Sequence, residues 1–276
     1  MRLVTYRTDR GPRAGVLRED HVLDAWDALG GGGESVRHLL AAGRLADLEE
    51  LEDEGVPLTD AELLPPVPDP EKIVCVGLNY RAHAAEAGID PPESPTIFGK
   101  YRNALAAPGA TVALPAASRK VDFEAEVAFV VGRRAGRVAE ADALDHVAGY
   151  MLLNDLSARD LQFATPQWMA GKVFDGSAPC GPAIVTPDEA PHDGIEFALD
   201  LNGERMQESS TADLIFGVPA LVAELSRLMT LEPGDIVATG TPSGVGSTRS
   251  PRVWLAPGDE VVISSPQLGE LRTSLG

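Results

Sequence analysis

The sequence predicts a β-dominated α+β chain with a small N-terminal α+β domain, on three observations. First, 28 glycines and 22 prolines in 276 residues force frequent turns, which suits short strands better than a helical bundle. Second, beyond residue 72, short apolar or alternating runs bounded by turn residues far outnumber convincing helices. Third, strands and helices do not alternate, so a parallel βαβ sheet is not expected. Hydrophobic content of 44% and charged content of 24% match a soluble globular chain, and this length buries a core without disulfide or metal staples.

Residues 1–64 read as the small unit. Residues 3–6 and 14–17 are short strands around the Asp9–Arg10–Gly11–Pro12 turn, and residues 30–33, all glycine, form a flexible turn. Ser35 can cap a helix from Val36 to about residue 42. Asp47, Glu49, Glu50, Glu52, Asp53 and Glu54 make an acidic run, most simply a solvated helix face. Pro65, Pro66, Pro68 and Pro70 stiffen a linker over 65–72, which separates this unit from a larger domain, 73–276. There, strands are expected at 73–77, 126–131, 149–154, 183–186, 197–201, 235–239 and 260–264. Asn202–Gly203 marks a hairpin turn, and the Pro-Gly-Asp turns at 233–235 and 257–259 each introduce a strand. Helices are expected at 219–229, from its one-sided apolar stripe and early proline, and at 82–87.

Charge narrows the partners. Lys+Arg is 23 against Asp+Glu 42, a formal charge of −19, which repels nucleic acid and anionic lipid. Cys75 and Cys180 have no metal or disulfide spacing and read as buried thiols. The N-terminus does not resemble a signal peptide, no apolar run approaches the ~20 residues of a membrane helix, and the cytoplasm is the expected compartment.

Residues 121–131, VDFEAEVAFVV, carry the most chemistry. Alternation along a strand places Asp122, Glu124 and Glu126 on one face and Val121, Phe123, Ala125, Val127 and Phe129 on the other. An edge strand with its acidic face in water would give the same pattern. Two features point elsewhere: Ala128 and Val130 continue the acidic face as apolar, and closely spaced carboxylates repel unless a cation neutralises them. A third carboxylate, Asp155, follows the apolar run 149–154. Three carboxylates without His or Cys favour a hard divalent cation, Mg²⁺, Mn²⁺ or Ca²⁺.

Other candidates surround this set. Arg159 and Gln162 follow Asp155 by four and seven residues and would share its face on a helical turn. There they could meet a substrate carboxylate or serve as surface groups. His83 and Glu86 are i, i+3 on a short Ala-rich helix, either a surface pair or an imidazole whose tautomer and basicity a carboxylate sets. Gly77 and Gly88 flank that helix and would let it move as a lid. Lys172 lies in the Gly/Pro-punctuated stretch QWMAGKVFDGSAPCGP, as an exposed lysine or a cation for an enolate or carboxylate. Thr241 lies in ATGTPSGVG, residues 238–246. With no Gly-Lys-Ser/Thr ending and no G-x-G-x-x-G, this reads as a loop for a small anion or a tight turn.

Taken in order, GLNYRAHAAE, VDFEAEVAFVVG, NDLSARDLQ, QWMAGKVFDGSAPCGP, LNGERMQ and PGDIVATGTPSGVG resemble the successive blocks of the fumarylacetoacetate hydrolase family, over about residues 70–276. The resemblance implies a mixed β-sandwich roll and a homodimer. It implies an Mg²⁺ or Mn²⁺ site at Glu124, Glu126 and Asp155, a lid dyad at His83 and Glu86, and an active-site lysine at Lys172. It also implies substrate-binding groups at Arg159, Gln162 and Thr241. Val173 departs from the small polar residue of many relatives, and residues 176–180 are also unusual, which bears on the substrate more than on the metal. The activity implied is hydrolytic C–C cleavage of an acylpyruvate or related 1,3-dicarbonyl acid. In it, the metal holds the carboxylate and enolate oxygens of a small anionic keto acid. The same site could run an isomerase or decarboxylase. A non-catalytic small-molecule binding protein on the same fold is the reading from another class, and the presence of His83, Glu86 and all three carboxylates favours catalysis.

Overall fold

The computed structural model describes residues 1–49, 55–86, 88 and 90–276. The architecture is β-dominated α+β, and every strand expected beyond residue 72 forms, most with wider bounds. The 126–131 run becomes Ala125–Val131, 149–154 becomes Val147–Asn154, and 183–186 becomes Ala178–Val185. The Asn202–Gly203 turn, both residues at positive φ, joins Glu196–Leu201 to Glu204–Ser210 in an antiparallel hairpin.

The central part of the large sheet runs in the order Arg2–Thr8, Ala178–Val185, Val147–Asn154, Ala125–Val131, Ile236–Ala238, Ile73–Gly77, Thr96–Lys100. A second, five-stranded sheet is built around Glu196–Leu201, Glu260–Ser265 and Gly269–Leu275. The two faces of Ala125–Val131 serve different cores. Val127 and Phe129 pack toward the second sheet with Phe197, Leu199, Val261 and Ile263. Ala128 and Val130 pack with Met151, Leu153, Ile184 and Ile236 under a cover of Leu3, Val16, Trp26, Leu39 and Leu40. The strand is thus central and buried on both faces, not the wet edge that its acidic pattern also allowed.

That cover comes from the first 64 residues. The strands Arg2–Thr8 and Gly11–Arg18 extend the expected 3–6 and 14–17, and the helix Val36–Ala41 is capped by Ser35 Oγ, which accepts from His38 N–H. This segment is not walled off. Arg2 and Leu3 pair with Val185 and Ile184, so one sheet crosses the Pro-rich stretch, and the apolar side chains join a shared core. Of the acidic run, Asp47 sits in the short turn Ala46–Leu48, while Glu50, Glu52, Asp53 and Glu54 lie outside the described residues.

The amphipathic helix is Val218–Leu228, with Pro219 in its first turn and Val218, Leu221, Val222 and Leu225 buried. The short helix expected at 82–87 is Arg81–Glu86, and Ala87 lies outside the described residues. No described helix is long and apolar enough to cross a membrane.

Candidate active site

The stretch 121–131 is not one strand. Val121–Asp122 pairs with Ser157–Ala158, and Ala125–Val131 pairs with Val147–Asn154. Between them the ladder breaks, and side chains take over its hydrogen bonds. Glu124 N–H donates to Asn154 Oδ1 (3.1 Å), Ala125 N–H to Gln207 Oε1 (2.9 Å), and Asp155 N–H to the Glu124 carbonyl (2.9 Å). The break lets Asp122, Glu124 and Glu126 diverge to different partners while all three stay buried.

Glu124, Glu126 and Asp155 each offer a carboxylate oxygen within 4.8 Å of the others. Two ligands of one ion, each at roughly 2.0–2.4 Å, span about that distance. Lys172 Nζ donates to Glu124 Oε2 (2.7 Å) and Asp155 Oδ2 (2.6 Å). The side chain is buried, not the exposed lysine its Gly/Pro-rich surroundings also allowed. Lys100 Nζ donates to the Lys172 carbonyl and to the Ser177 carbonyl and hydroxyl. It also stands 2.8 Å from Asp155 Oδ1, at an angle that makes an ion pair without a hydrogen bond.

Arg159 spends its whole guanidinium on the site: Nε on Asp122 Oδ2 (2.8 Å), one NH₂ on Glu124 Oε1 (2.7 Å) and the other on Gln162 Oε1 (2.9 Å). The two residues do share a helical turn, Arg159–Gln162. Asp155 does not belong to it, because the bridge Ser157–Ala158 intervenes. The expectation of one helical face from Asp155 onward is therefore corrected: Arg159 reaches the carboxylates through the Val121–Asp122 pairing.

The electrostatics split the two glutamates. Burial opposes ionisation of Glu124, but Lys172 and then Arg159 outweigh it and hold its carboxyl down at about 2. No cation pairs directly with Glu126 among the described residues, and the more distant charge of Lys172 offsets only part of what opposes its ionisation. Burial first, then the charges of Asp155 and Glu124, push its carboxyl well above the usual range, although it accepts Gly240 N–H (2.9 Å). Burial lowers Lys172, and Asp155 and Glu124 more than reverse this, so its ammonium stays charged.

The backbone N–H groups of the loop 238–246 go to carboxylates of the chain itself. Gly240 N–H donates to Glu126 and Gly244 N–H to Glu86 Oε1 (3.1 Å). Gly246 at its end and Ser247 just beyond donate N–H to Asp122 (2.7 and 3.0 Å). Thr241 Oγ1 donates to the Ala125 carbonyl (2.9 Å) and accepts from Gln207 Nε2 (2.8 Å), which ties the loop to the strand break. On the helix Arg81–Glu86, His83 Nδ1 lies 3.2 Å from Glu86 Oε2, so Nε2 is the nitrogen left for a reacting proton.

These groups enclose a cavity of about 170 Å³. His83, Glu124, Glu126, Arg159, Gln162, Lys172 and Thr241 line it, and Asp155 and Glu86 do not. Sequence reading missed Lys100, Asp122 and Gln207 as site residues. Asp122 carried a signal, its shared face with Glu124. For Lys100 the only hint was the scarcity of lysine, four in the chain.

Hard oxygen donors fit a hard divalent ion. The buried cluster also carries one more carboxylate than cations: Asp122, Glu124, Glu126 and Asp155 against Lys100, Arg159 and Lys172. Asp155 Oδ1, buried and accepting no hydrogen bond, has a lone pair to give. A divalent ion held by Glu124, Glu126 and Asp155 would relieve all of this.

Fold and site together define a class: a mixed β-sheet enzyme scaffold with a carboxylate-floored, metal-capable pocket beside a His83–Glu86 pair. The chain belongs to the fumarylacetoacetate hydrolase family, since the model of the fumarylacetoacetate (FAA) hydrolase C-terminal domain matches residues 72–275. It is 42% identical over 217 residues to the oxaloacetate tautomerase fahd2, mitochondrial, of Xenopus laevis, covering 77% of this chain and 68% of that protein. A solved Mycobacterium smegmatis structure matches with a TM-score of 0.91 at 38% identity, covering 100% of this chain and 99% of the other. The maleylpyruvate hydrolase of Sphingobium sp. SYK-6 matches with a TM-score of 0.80 at 32% identity, covering 100% of both chains. Other similar solved structures are named as isomerases. The chain is thus an enzyme of a family with hydrolase, isomerase and tautomerase members.

Proposed function

We propose that this chain is a divalent-metal-dependent enzyme acting on a small anionic 2-oxo acid through its enolate, and that it hydrolyses a C–C bond in an acylpyruvate-type 1,3-dicarbonyl acid. The observation that carries the reading is the convergence of Glu124, Glu126 and Asp155, with Lys172 bridging two of them, in a buried cavity facing His83. When bound, Mg²⁺ or Mn²⁺ supplies Lewis-acid stabilisation to the substrate oxygens. Lys172 adds a fixed positive charge where the enolate develops. His83, with Nδ1 held by Glu86, takes a proton from water at Nε2; the hydroxide adds to the distal carbonyl, the C–C bond breaks to give a carboxylic acid and an enolate, and His83 returns the proton to the enolate carbon. Arg159 and Thr241, their donors engaged within the protein, shape the cavity wall, and the Gln162 amide can donate to a substrate carboxylate oxygen.

A second reading is favoured by the name of the Xenopus laevis relative, a tautomerase. Here His83 moves a proton between carbon and oxygen and no water attacks. Incubating the purified protein with Mg²⁺ and a panel of acylpyruvates and β-keto acids, followed by mass spectrometry, separates the outcomes. Two carbon fragments support hydrolysis, one rearranged molecule supports tautomerisation, and CO₂ indicates decarboxylation. No turnover with any 2-oxo acid, with metal bound, would overturn the enolate reading itself. The cytoplasm and a homodimer are proposed as its setting.

A further inference from the structure

Ala125 lies between two of the three clustered carboxylates, Glu124 and Glu126, so its backbone sets how far apart they stand. On one side, the ladder with Val147–Asn154 reaches Ala125 through Asn154. On the other, the strand Ile236–Ala238 pairs only with residues 128–130, and Thr239 N–H adds a last bond to the Val127 carbonyl (3.1 Å). Beyond that point side chains replace the missing strand. Ala125 N–H donates to Gln207 Oε1 (2.9 Å), and Thr241 Oγ1 donates to the Ala125 carbonyl (2.9 Å). Gln207 Nε2 closes the ring by donating to Thr241 Oγ1 (2.8 Å), and it also donates to the Pro242 carbonyl (3.0 Å).

Gln207 comes from the second sheet. It sits on Glu204–Ser210, whose register with Glu196–Leu201 skips Met206. A bulge of this kind re-aims the side chain beside it. Gln207 is 2% exposed, and its amide works in both directions: the oxygen faces an N–H and the nitrogen faces two oxygens. An amide is the side chain that satisfies all three partners. Gln207 does not line the cavity, so its influence on a bound ion runs through Ala125.

Mg²⁺ demands near-ideal octahedral geometry at about 2.0–2.1 Å, whereas Ca²⁺ accepts longer and less regular sets of oxygens. Oxygens of Glu124, Glu126 and Asp155 lie within 4.8 Å of one another, and keeping them there requires a fixed backbone between the two glutamates. We infer that Gln207 is a positioning residue for the ion: together with Thr241 it clamps Ala125, and through that clamp it sets a preference for Mg²⁺ over Ca²⁺. This rests on the metal site of the reading above and adds what governs the choice of ion.

Titration calorimetry of the ion-free protein with Mg²⁺ and with Ca²⁺ reads the preference as a ratio of affinities. Gln207→Leu keeps much of the bulk and removes the amide. It should weaken Mg²⁺ binding about 10-fold or more, the scale set by outer-shell partners of metal ligands. Ca²⁺ should lose at least about 3-fold less than Mg²⁺, because it tolerates an irregular set. Thr241→Val breaks the same clamp at the carbonyl end and should narrow the ratio in the same direction, and it carries the test if Gln207→Leu does not fold. Thr239→Val is the control. Thr239 Oγ1 donates to the Val127 carbonyl on the same strand (2.7 Å), outside the clamp, and its loss should lower the Tm while leaving the ratio unchanged. A ratio unchanged in both clamp variants overturns the inference and leaves the metal site intact. A ratio that moves as far in Thr239→Val overturns it too, since any loosening of the strand would then suffice. If the parent protein binds neither ion, the metal site falls and the inference falls with it.

Discussion

Glu124 and Glu126 sit two residues apart and have opposite acid–base behaviour, which gives the ion-free protein a definite pH signature. Glu124, held at about 2, contributes stability present above about pH 4.5 and lost as pH falls toward 2. Glu126, raised, contributes stability that is complete below about 4.5 and lost as pH rises through its folded value. Removing metal should therefore cost most at neutral and alkaline pH, and the Tm gain from Mn²⁺ should grow from pH 5 to pH 8. Differential scanning calorimetry with and without Mn²⁺ reads this directly, and a pH-independent gain would refute it. Lys172→Met is expected to lower kcat/KM by about 10²-fold or more with metal saturating. Because Lys172 pairs two buried carboxylates, it should also destabilise the ion-free chain by about 3–5 kcal/mol. Metal-loaded turnover equal to the parent would remove Lys172 from the mechanism. The glutamate pair was legible from strand parity alone. Lys100 was not, since it meets Asp155 across 55 residues of chain and no local pattern records such a contact.

At the scale of elements, the helix Arg81–Glu86 and the loop 238–246 are tied together. Glu86 orients His83 with one oxygen and accepts the Gly244 N–H, so the loop braces the dyad against the cavity. His83→Ala should lower kcat about 10²–10⁴-fold and leave Mn²⁺ affinity unchanged, as titration calorimetry would report. Near-normal turnover would exclude His83 as the base. Glu86→Gln keeps the size but weakens the hold on His83 Nδ1. It should therefore lower kcat about 10-fold or more while Mn²⁺ affinity is unchanged, and a kcat equal to the parent would remove Glu86 from the mechanism. The sequence made the pieces visible: an i, i+3 pair and a Gly-rich turn with free N–H groups. Their mutual contact was hidden, because Glu86 and Gly244 are 158 residues apart. The broken ladder at Phe123–Glu124 was hidden for a similar reason. Alternation continues unbroken through it, and only Asn154 and Gln207, from other strands, reveal where the backbone leaves its partner.

Across the whole molecule, the acidic face of one strand explains the role of the N-terminal 64 residues. Glu126 shares a face with Ala128 and Val130, and a charged site can adjoin that apolar stretch only if something covers it. Leu3, Val16, Leu39 and Leu40 do so, packed directly on the core of the catalytic sheet. The proline-rich stretch was legible as punctuation in the chain, and it coincides with where the family match begins, at residue 72. What it could not convey is that one sheet passes from one side of it to the other through the pairing of Arg2 and Leu3 with Val185 and Ile184. A shared core and a shared sheet imply shared cooperativity. Thermal unfolding should therefore appear as one calorimetric transition, with the calorimetric enthalpy matching the van't Hoff value. Leu39→Ala, at a fully buried position in the N-terminal helix, should lower the Tm of that single transition and cost about 2–5 kcal/mol. Two resolved transitions, with only the lower one moved by Leu39→Ala, would mean that the first 64 residues fold as a unit of their own. In that case the cover would be dispensable to the site: metal affinity would survive the first transition instead of being lost with it.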